Sequence, residues 1–248
     1  MATARYDQEI TDAIADEIEA AIDADAGVDL PWHGNNQLPI NVSSKRAYRG
    51  ANAIRLWFTA RKLGYDHGAW ATYKQFASIN AQVSGGQQAQ ARVAAFIPET
   101  VDDLTKKVIK EGGFRSFPVF NVAQTNTPDA IEYGVNPDIT VRATAAENEA
   151  CHALVRKHVT PSGNEAHDAL VAELAVAFVL AASGKGSIPR PSHARYMRAW
   201  LAVCRSEDNS SSDRFTLFIA ASAASKVADK ALVAPAANSN KRRKKAAA

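Results

Sequence analysis

The sequence predicts an α+β protein, with helices and a small antiparallel sheet in the N-terminal half and a mainly helical C-terminal half. Three observations carry this expectation. Isoleucines recur every fourth residue at the start of the chain, runs rich in β-branched and aromatic residues occupy the middle, and beyond Asp138 the sequence turns alanine-rich with helical periodicity to about residue 232. A boundary near 135 to 142 divides the chain into domains 1–138 and 139–232, leaving 233–248 as a disordered basic tail.

Ile10, Ile14, Ile18 and Ile22 stand between acids and form one stripe of an amphipathic first helix that ends near "DADAG". The following "VDLPWHGNNQLPINVSSKRAYRG" holds prolines, glycines and turn formers, and reads as a loop that is ordered in itself or on binding. "ANAIRLWFTARKLG" reads as a helix capped by Asn52 and stopped by Gly64. Thr72 and Gln75 suit a capping box for the short helix "TYKQFASIN".

"ARVAAFI" and "FRSFPVFNVAQT" are expected to be strands. Between them, "PETVDDLTKKVIKEGG" starts with proline, carries early acids and late lysines and ends at two glycines, the pattern of a helix. "NTPDAIEYGVNPD" is a turn-rich connector. Four helices are expected after it, over 143–158, 164–183, 192–204 and 212–231.

The apolar fraction of 46% with 22% charged residues is that of a globular protein. No apolar run approaches the roughly 18 residues needed to span a bilayer, so no membrane partner is expected. The first residues lack the apolar stretch of a secretory signal, which implies a cytoplasmic address. Two cysteines, Cys151 and Cys204, are too few for a disulfide framework and lack zinc-knuckle spacing; both are expected as buried thiols.

The net charge of +3 conceals a segregation: residues 1–29 carry nine acids and one base, residues 30–98 eight bases and one acid, Asp66. So long a stretch nearly free of carboxylates suits a polyanion-binding surface. Within it, Lys45, Arg46, Arg49, Arg55, Arg61 and Lys62 alternate with Trp32, Tyr48, Trp57, Phe58 and Tyr65. Cations that neutralise phosphates beside rings that stack on unpaired bases hold single-stranded nucleic acid. The loop "SSKRAYRG" is the candidate contact, with Gly50 allowing close backbone approach. Trp57 and Phe58, mid-helix with Ile54 and Leu56, read as core, whereas Trp32 and Tyr48 lie in polar loops and read as contact residues.

"NEACH", residues 148–152, differs by one residue from HExxH, the zinc-binding helix of many metalloproteases. Asn148 and His152 share a helical face, with Glu149 beside them at the position of a general base. Glu173 falls within the apolar stripe of "HDALVAELAVAFVLA", where a carboxylate needs a cation, metal or imidazole; His152 is the expected partner. Asn148 is a poor zinc ligand. The same residues therefore admit two readings, a metal site of Asn148, His152 and Glu173, or a buried hydrogen-bonded network without metal.

"LPINVSSKRAYRGANAIRLWFTARKLGYDHGAWATYKQ" and "FPVFNVAQT" resemble the N-terminal domain of the ArdC-type antirestriction proteins of plasmids and phages. "HARYMRAWLAVCR" and "FIAASAASKVADKAL", with the Glu173 helix, resemble the family's C-terminal helices. The resemblance implies a single-stranded-DNA-binding domain followed by a zincin-like metallopeptidase fold. It implies DNA-binding roles for Tyr48, Arg49, Gly50 and Asn52, and places Trp32, Trp57 and Lys74 on matching positions. It also implies a general base at Glu149, metal ligands at His152 and Glu173, and a lost ligand at Asn148. The expectation is thus a non-enzymatic single-stranded-DNA-binding protein of a phage or mobile element, with a degenerate peptidase domain and no cofactor, acting against host restriction or nuclease components. Two alternatives are a zinc-dependent peptidase that retains an Asn148, His152 and Glu173 site, and a phage protein that coats or is packaged with DNA.

Overall fold

The isoleucine stripe forms the predicted helix. The computed structural model describes residues 2–26, 28–101, 108–127, 141–190, 193–204 and 216–245. In it, α1 (Ala2–Asp23) buries Ile10, Ile14 and Ile18 to 1% exposure or less, each contributing about 1.5–3 kcal/mol. Ile22 packs partly buried on the same core.

The loop expected next contains two short strands, β1 (Ile40–Asn41) and β2 (Arg46–Ala47), paired antiparallel. Asn41 closes the turn between them, its Oδ1 accepting the Ser43 and Ser44 amides. Strands of two residues leave no periodicity to read. α2 (Ala51–Leu63) ends at Gly64 in the left-handed region, as expected. Its cap, however, is Gly50, and the Asn52 side chain serves elsewhere.

β3 (Ala69–Ala71) leads into α3 (Tyr73–Ser78), which opens on the predicted Thr72–Gln75 capping box. β4 (Ala91–Ile97) follows. Where the sequence suggests a helix, the chain makes β5 (Thr100–Val101) and β6 (Val108–Lys110), paired antiparallel, with 102–107 outside the described residues. β7 (Gly113–Asn121) then pairs with the whole length of β4, from Ala91↔Val119 to Ile97↔Gly113. The small hairpin thus prolongs the long one, and β-branched Thr100, Val101, Val108 and Ile109 fit that pairing better than the charge pattern fits a helix.

The sheet order is β2-β1-β3-β7-β4. It is mixed, not purely antiparallel as expected, because β1 and β3 run parallel, joined by a crossover that contains α2. A 3-10 turn, Val122–Gln124, closes the sheet region.

The C-terminal half consists of α4 (Ala145–Arg156), α5 (Glu165–Ala182), α6 (His193–Cys204) and α7 (Thr216–Lys245), near the four expected positions. α7 continues through residues expected as a tail, in keeping with the helix propensity of Ala, Lys and Arg. The connector and most of the expected boundary lie outside the described residues. Every residue of α5 from Leu170 to Ala181 is buried, as suits a helix apolar on all sides. One core cluster joins Ile10, Ile14, Ile18, Trp32, Ile54 and Trp57 to α5 and α7, so the two halves share a hydrophobic interior.

Candidate functional site

Glu173 sits in the middle of α5 with 1% exposure. A carboxylate so placed needs compensation, and the structure supplies it from two residues that the local sequence does not indicate. His33 Nδ1 accepts the Leu30 amide at 3.0 Å, which leaves the proton on Nε2, and Nε2 lies 3.2 Å from Glu173 Oε1. Arg190 Nε lies 3.4 Å from Glu173 Oε2. His152, the expected partner, is not one: its Nε2 has no hydrogen-bond partner among the described residues.

His33 is held in place by backbone. The Gly34 amide donates to the Ser187 carbonyl at 2.9 Å, and the Ser187 hydroxyl donates to the Trp32 carbonyl at 3.2 Å. Gly186 permits this approach, because a Cβ there would lie 2.5 Å from the Gly34 carbonyl oxygen. The segment 30–34, about 140 residues away in sequence, therefore converges with α5 and the 186–190 segment that follows it on one carboxylate. Only the need for a cation or imidazole at Glu173 was visible in the sequence; no spacing identifies His33 or Arg190.

α4 presents Asn148 and His152 inward, 1% and 6% exposed, while Glu149 faces solvent. Asn148 Oδ1 accepts the Ile188 amide at 3.3 Å. Burial, and then the charge of Arg190, push the His152 imidazole down to about 4, with Glu173 opposing. His152 is thus a neutral ring facing a guanidinium, at the rim of a cavity of about 560 Å³ that Arg156, Arg190 and Tyr196 also line. Cys151, beside it, is buried, and burial pushes its thiol up to about 11. Cys204 lies at the end of α6, and its side chain is outside the described residues.

These residues do not fit a metal. Both carboxylate oxygens of Glu173 are engaged by nitrogen donors, the Asn148 oxygen is bonded to backbone, and a guanidinium occupies the neighbourhood that a dication would need. Among the described residues no group of three His, Cys, Asp or Glu side chains is arranged to hold an ion. The hydrogen bonds at this centre join Glu173 to His33 and Arg190, and Asn148 bonds to the Ile188 backbone amide instead of to His152.

The basic, aromatic segment divides into three groups. Trp32 is core, 1% exposed and edge-on to His33, so it is not available to a ligand. Tyr48 is half-buried, its hydroxyl accepting from Asn41 Nδ2 at 2.9 Å, and burial raises its pKa. Its place in a polar loop concealed a structural role. Lys45, Arg46 and Lys74 are exposed, the first two on the β1–β2 hairpin and Lys74 on α3.

The third group gathers around a groove of about 860 Å³ between the start of α2 and the face of α7. Arg49, Gly50, Asn52 and Arg55 line it from the N-terminal half, Lys226 and Lys230 from α7. Arg49 is exposed and bonds Asp229 at 2.7 Å. Arg55 is 5% exposed and makes two 2.7 Å bonds to Asp7, a third to Asn52, and lies 4.8 Å from the Phe218 ring centroid. It supports the groove from below. Asn52 grips Ala94 of β4 through both amide and carbonyl, at 2.9 and 2.8 Å. Gly50, expected to admit a ligand, instead admits α7: a Cβ on it would lie 3.3 Å from the Ser222 Cα. Lys226 and Lys230 escaped sequence reading because α7 reads as an ordinary amphipathic helix.

A family model described as the N-terminal domain of anti-restriction factor ArdC matches residues 4–124. An uncharacterized protein, y4eC, of Sinorhizobium fredii (strain NBRC 101917 / NGR234) is 28% identical over 295 aligned residues, which cover 92% of this chain and 94% of that one. Among solved structures, the metal-free crystal structure of the antirestriction ArdC protein from the R388 plasmid is similar with a TM-score of 0.64 at 22% identity, over 94% of this chain and 98% of that chain. Its Mn(II)-bound counterpart gives 0.63 at 22% identity, over 91% and 96%. At that identity the likeness is one of fold, and the manganese belongs to the R388 protein. Residues 4–124 thus match the N-terminal domain of anti-restriction factor ArdC, and nearly the whole chain is similar in fold to the R388 protein.

Proposed function

We propose that this protein holds single-stranded DNA in the groove between α2 and α7, and that its C-terminal half is a scaffold that has lost peptidase chemistry. The observation that carries the reading is the union in one groove of Arg49, from the carboxylate-poor segment, with Lys226 and Lys230, from a helix in the other half of the chain. Cations one or two helical turns apart can each meet a phosphate of a passing strand, and a flexible single strand follows such a path without the fixed geometry that duplex demands. The match of residues 4–124 to the N-terminal domain of an anti-restriction factor supports a role in shielding incoming DNA from host nucleases. The loss of peptidase chemistry is supported by the engagement of Glu173 with His33 and Arg190, which leaves Glu149 no metal-bound water to activate.

Fluorescence anisotropy with a labelled single-stranded oligonucleotide tests the reading. Arg49→Ala combined with Lys226→Ala and Lys230→Ala is expected to weaken binding by at least about tenfold and to flatten its salt dependence by about 0.7 in log–log slope per cation removed. Binding equal to that of the wild type would remove the groove from the account.

A further inference from the structure

The β4–β7 hairpin has one face that the fold uses and one that it leaves open. On the inner face Ala91 and Val93 of β4 and Val119 of β7 pack with Leu56 and Trp70. The outer face carries Arg92, Ala94 and Phe96, opposite Pro118, Ser116 and Phe114. Near β3 this outer face is covered by α3, through Phe76 against Ala69, Ala71 and Val122, with Phe120 partly buried at the margin. Farther along, Phe96 is 60% and Phe114 80% exposed, and their rings meet edge-to-face with centroids 5.5 Å apart.

Two phenylalanines on one exposed rung contribute nothing to the described core, and large apolar side chains grouped at a surface mark contact sites. Their surroundings indicate the partner. Phe114 also lines the groove that holds Arg49, Lys226 and Lys230. On the same face Arg92, half-buried, is steered by a 2.9 Å bond from its Nε to the Ser116 hydroxyl. A second copy of this chain adding a strand at β4 is disfavoured, because the Asn52 side chain already occupies the outward amide and carbonyl of Ala94.

We propose that Phe96 and Phe114 form a base-stacking platform for an unpaired strand whose phosphates lie along Arg49, Lys226 and Lys230. The proposal rests on the reading of the groove as a single-stranded-DNA site, and adds to it the means of selecting unpaired bases. Aromatic faces stack on any base without reading its edge, so the platform confers preference for single strands with little sequence preference.

The test uses the full chain, a labelled oligothymidylate and an abasic strand of the same length, which keeps the phosphates and lacks the bases. Phe96→Ala and Phe114→Ala are each expected to weaken oligothymidylate binding about tenfold, while abasic binding and the melting temperature stay at wild-type values. Phe114→Leu, which keeps apolar area and loses the ring, is expected to behave as Phe114→Ala. If the wild type binds neither strand, the groove reading itself fails, and the platform with it. If the wild type binds and the variants bind oligothymidylate equally well, the platform is overturned and the groove stands. Equal losses on both strands would also overturn it, by showing a general surface effect. Light scattering is read in parallel: a wild-type dimer that the Phe variants convert to monomer, with DNA binding unchanged, would assign the face to a second copy instead.

Discussion

The Arg190 guanidinium lies against the Glu173 carboxylate, Nε to Oε2 3.4 Å, with both side chains almost out of solvent. A dication bound through Glu173 would have to share this neighbourhood with a fixed positive charge, whatever residue stands at position 148. His33 engages Oε1 and Arg190 engages Oε2, so removal of Arg190 takes the fixed positive charge away from the carboxylate. Asn148→His alone is therefore expected to bind no zinc in calorimetry, whereas Asn148→His combined with Arg190→Ala is expected to bind one equivalent. Stoichiometric zinc in the single variant would show that Arg190 is no obstacle.

His152 sets a pH dependence. Its ordinary value of 6.5 is lowered to about 4 by burial and by Arg190, with Arg156 acting in the same direction and Glu173 and Glu149 opposing. Between these values the unfolded chain binds more protons at this ring than the folded one does, so stability is fully present above about 6.5 and falls as pH drops toward 4. Complete protonation costs about 3 kcal/mol. Melting curves of wild type and His152→Gln should differ by a constant amount above neutral pH and converge or cross as pH falls. Parallel curves across that window would show that His152 does not titrate as described.

Asp7 and Arg55 form a buried pair with two 2.7 Å bonds that ties α1 to α2 beneath the groove. Removing either partner leaves a buried charge alone, so Asp7→Ala and Arg55→Ala are each expected to lower unfolding free energy by about 3–5 kcal/mol in urea titrations. Asp7→Leu with Arg55→Met should lose much less than the sum of the single losses. Simple additivity would contradict the pairing.

Asp229 neutralises Arg49 across the groove mouth, in an exposed ion pair that adds at most about 1 kcal/mol to stability. Asp229→Asn should leave the melting temperature nearly unchanged and tighten oligonucleotide binding about fivefold at low salt, because one repulsive charge is removed. Weaker binding would show that Asp229 positions Arg49 more than it competes for it.

Asn52 satisfies both outward backbone groups of Ala94 from the second residue of α2. Asn52→Ala should cost about 1–3 kcal/mol and expose the β4 edge. Faster amide exchange at Ala94, measured by NMR, is the specific sign expected.

Local regularity made much of the fold legible. The α1 isoleucine stripe, the stop at Gly64 and the Thr72–Gln75 capping box each depend on residues within one or two turns of one another, and each stands where the sequence places it. Residues 98–113 read as helix from their charges, yet the described ends, Thr100–Val101 and Val108–Lys110, pair with each other as strands, a contact that the charge pattern does not encode. Trp32 and Tyr48 read as surface residues from their polar neighbours in sequence. Their neighbours in space are a hydrophobic core and the Asn41 amide.

The sequence alone determined the α+β class, the family resemblance, the carboxylate-poor basic segment and the need for a partner at Glu173. Those properties are carried by composition and by short-range spacing, which need no knowledge of how the chain closes on itself. Tertiary structure alone decided that the partners are His33 and Arg190, that Arg55 is a support and Arg49 a surface cation, and that Lys226 and Lys230 face them across a groove. Each of those outcomes depends on contacts between residues distant along the chain. Burial and Coulomb energy act over a few ångströms in space, and sequence separation does not measure that distance.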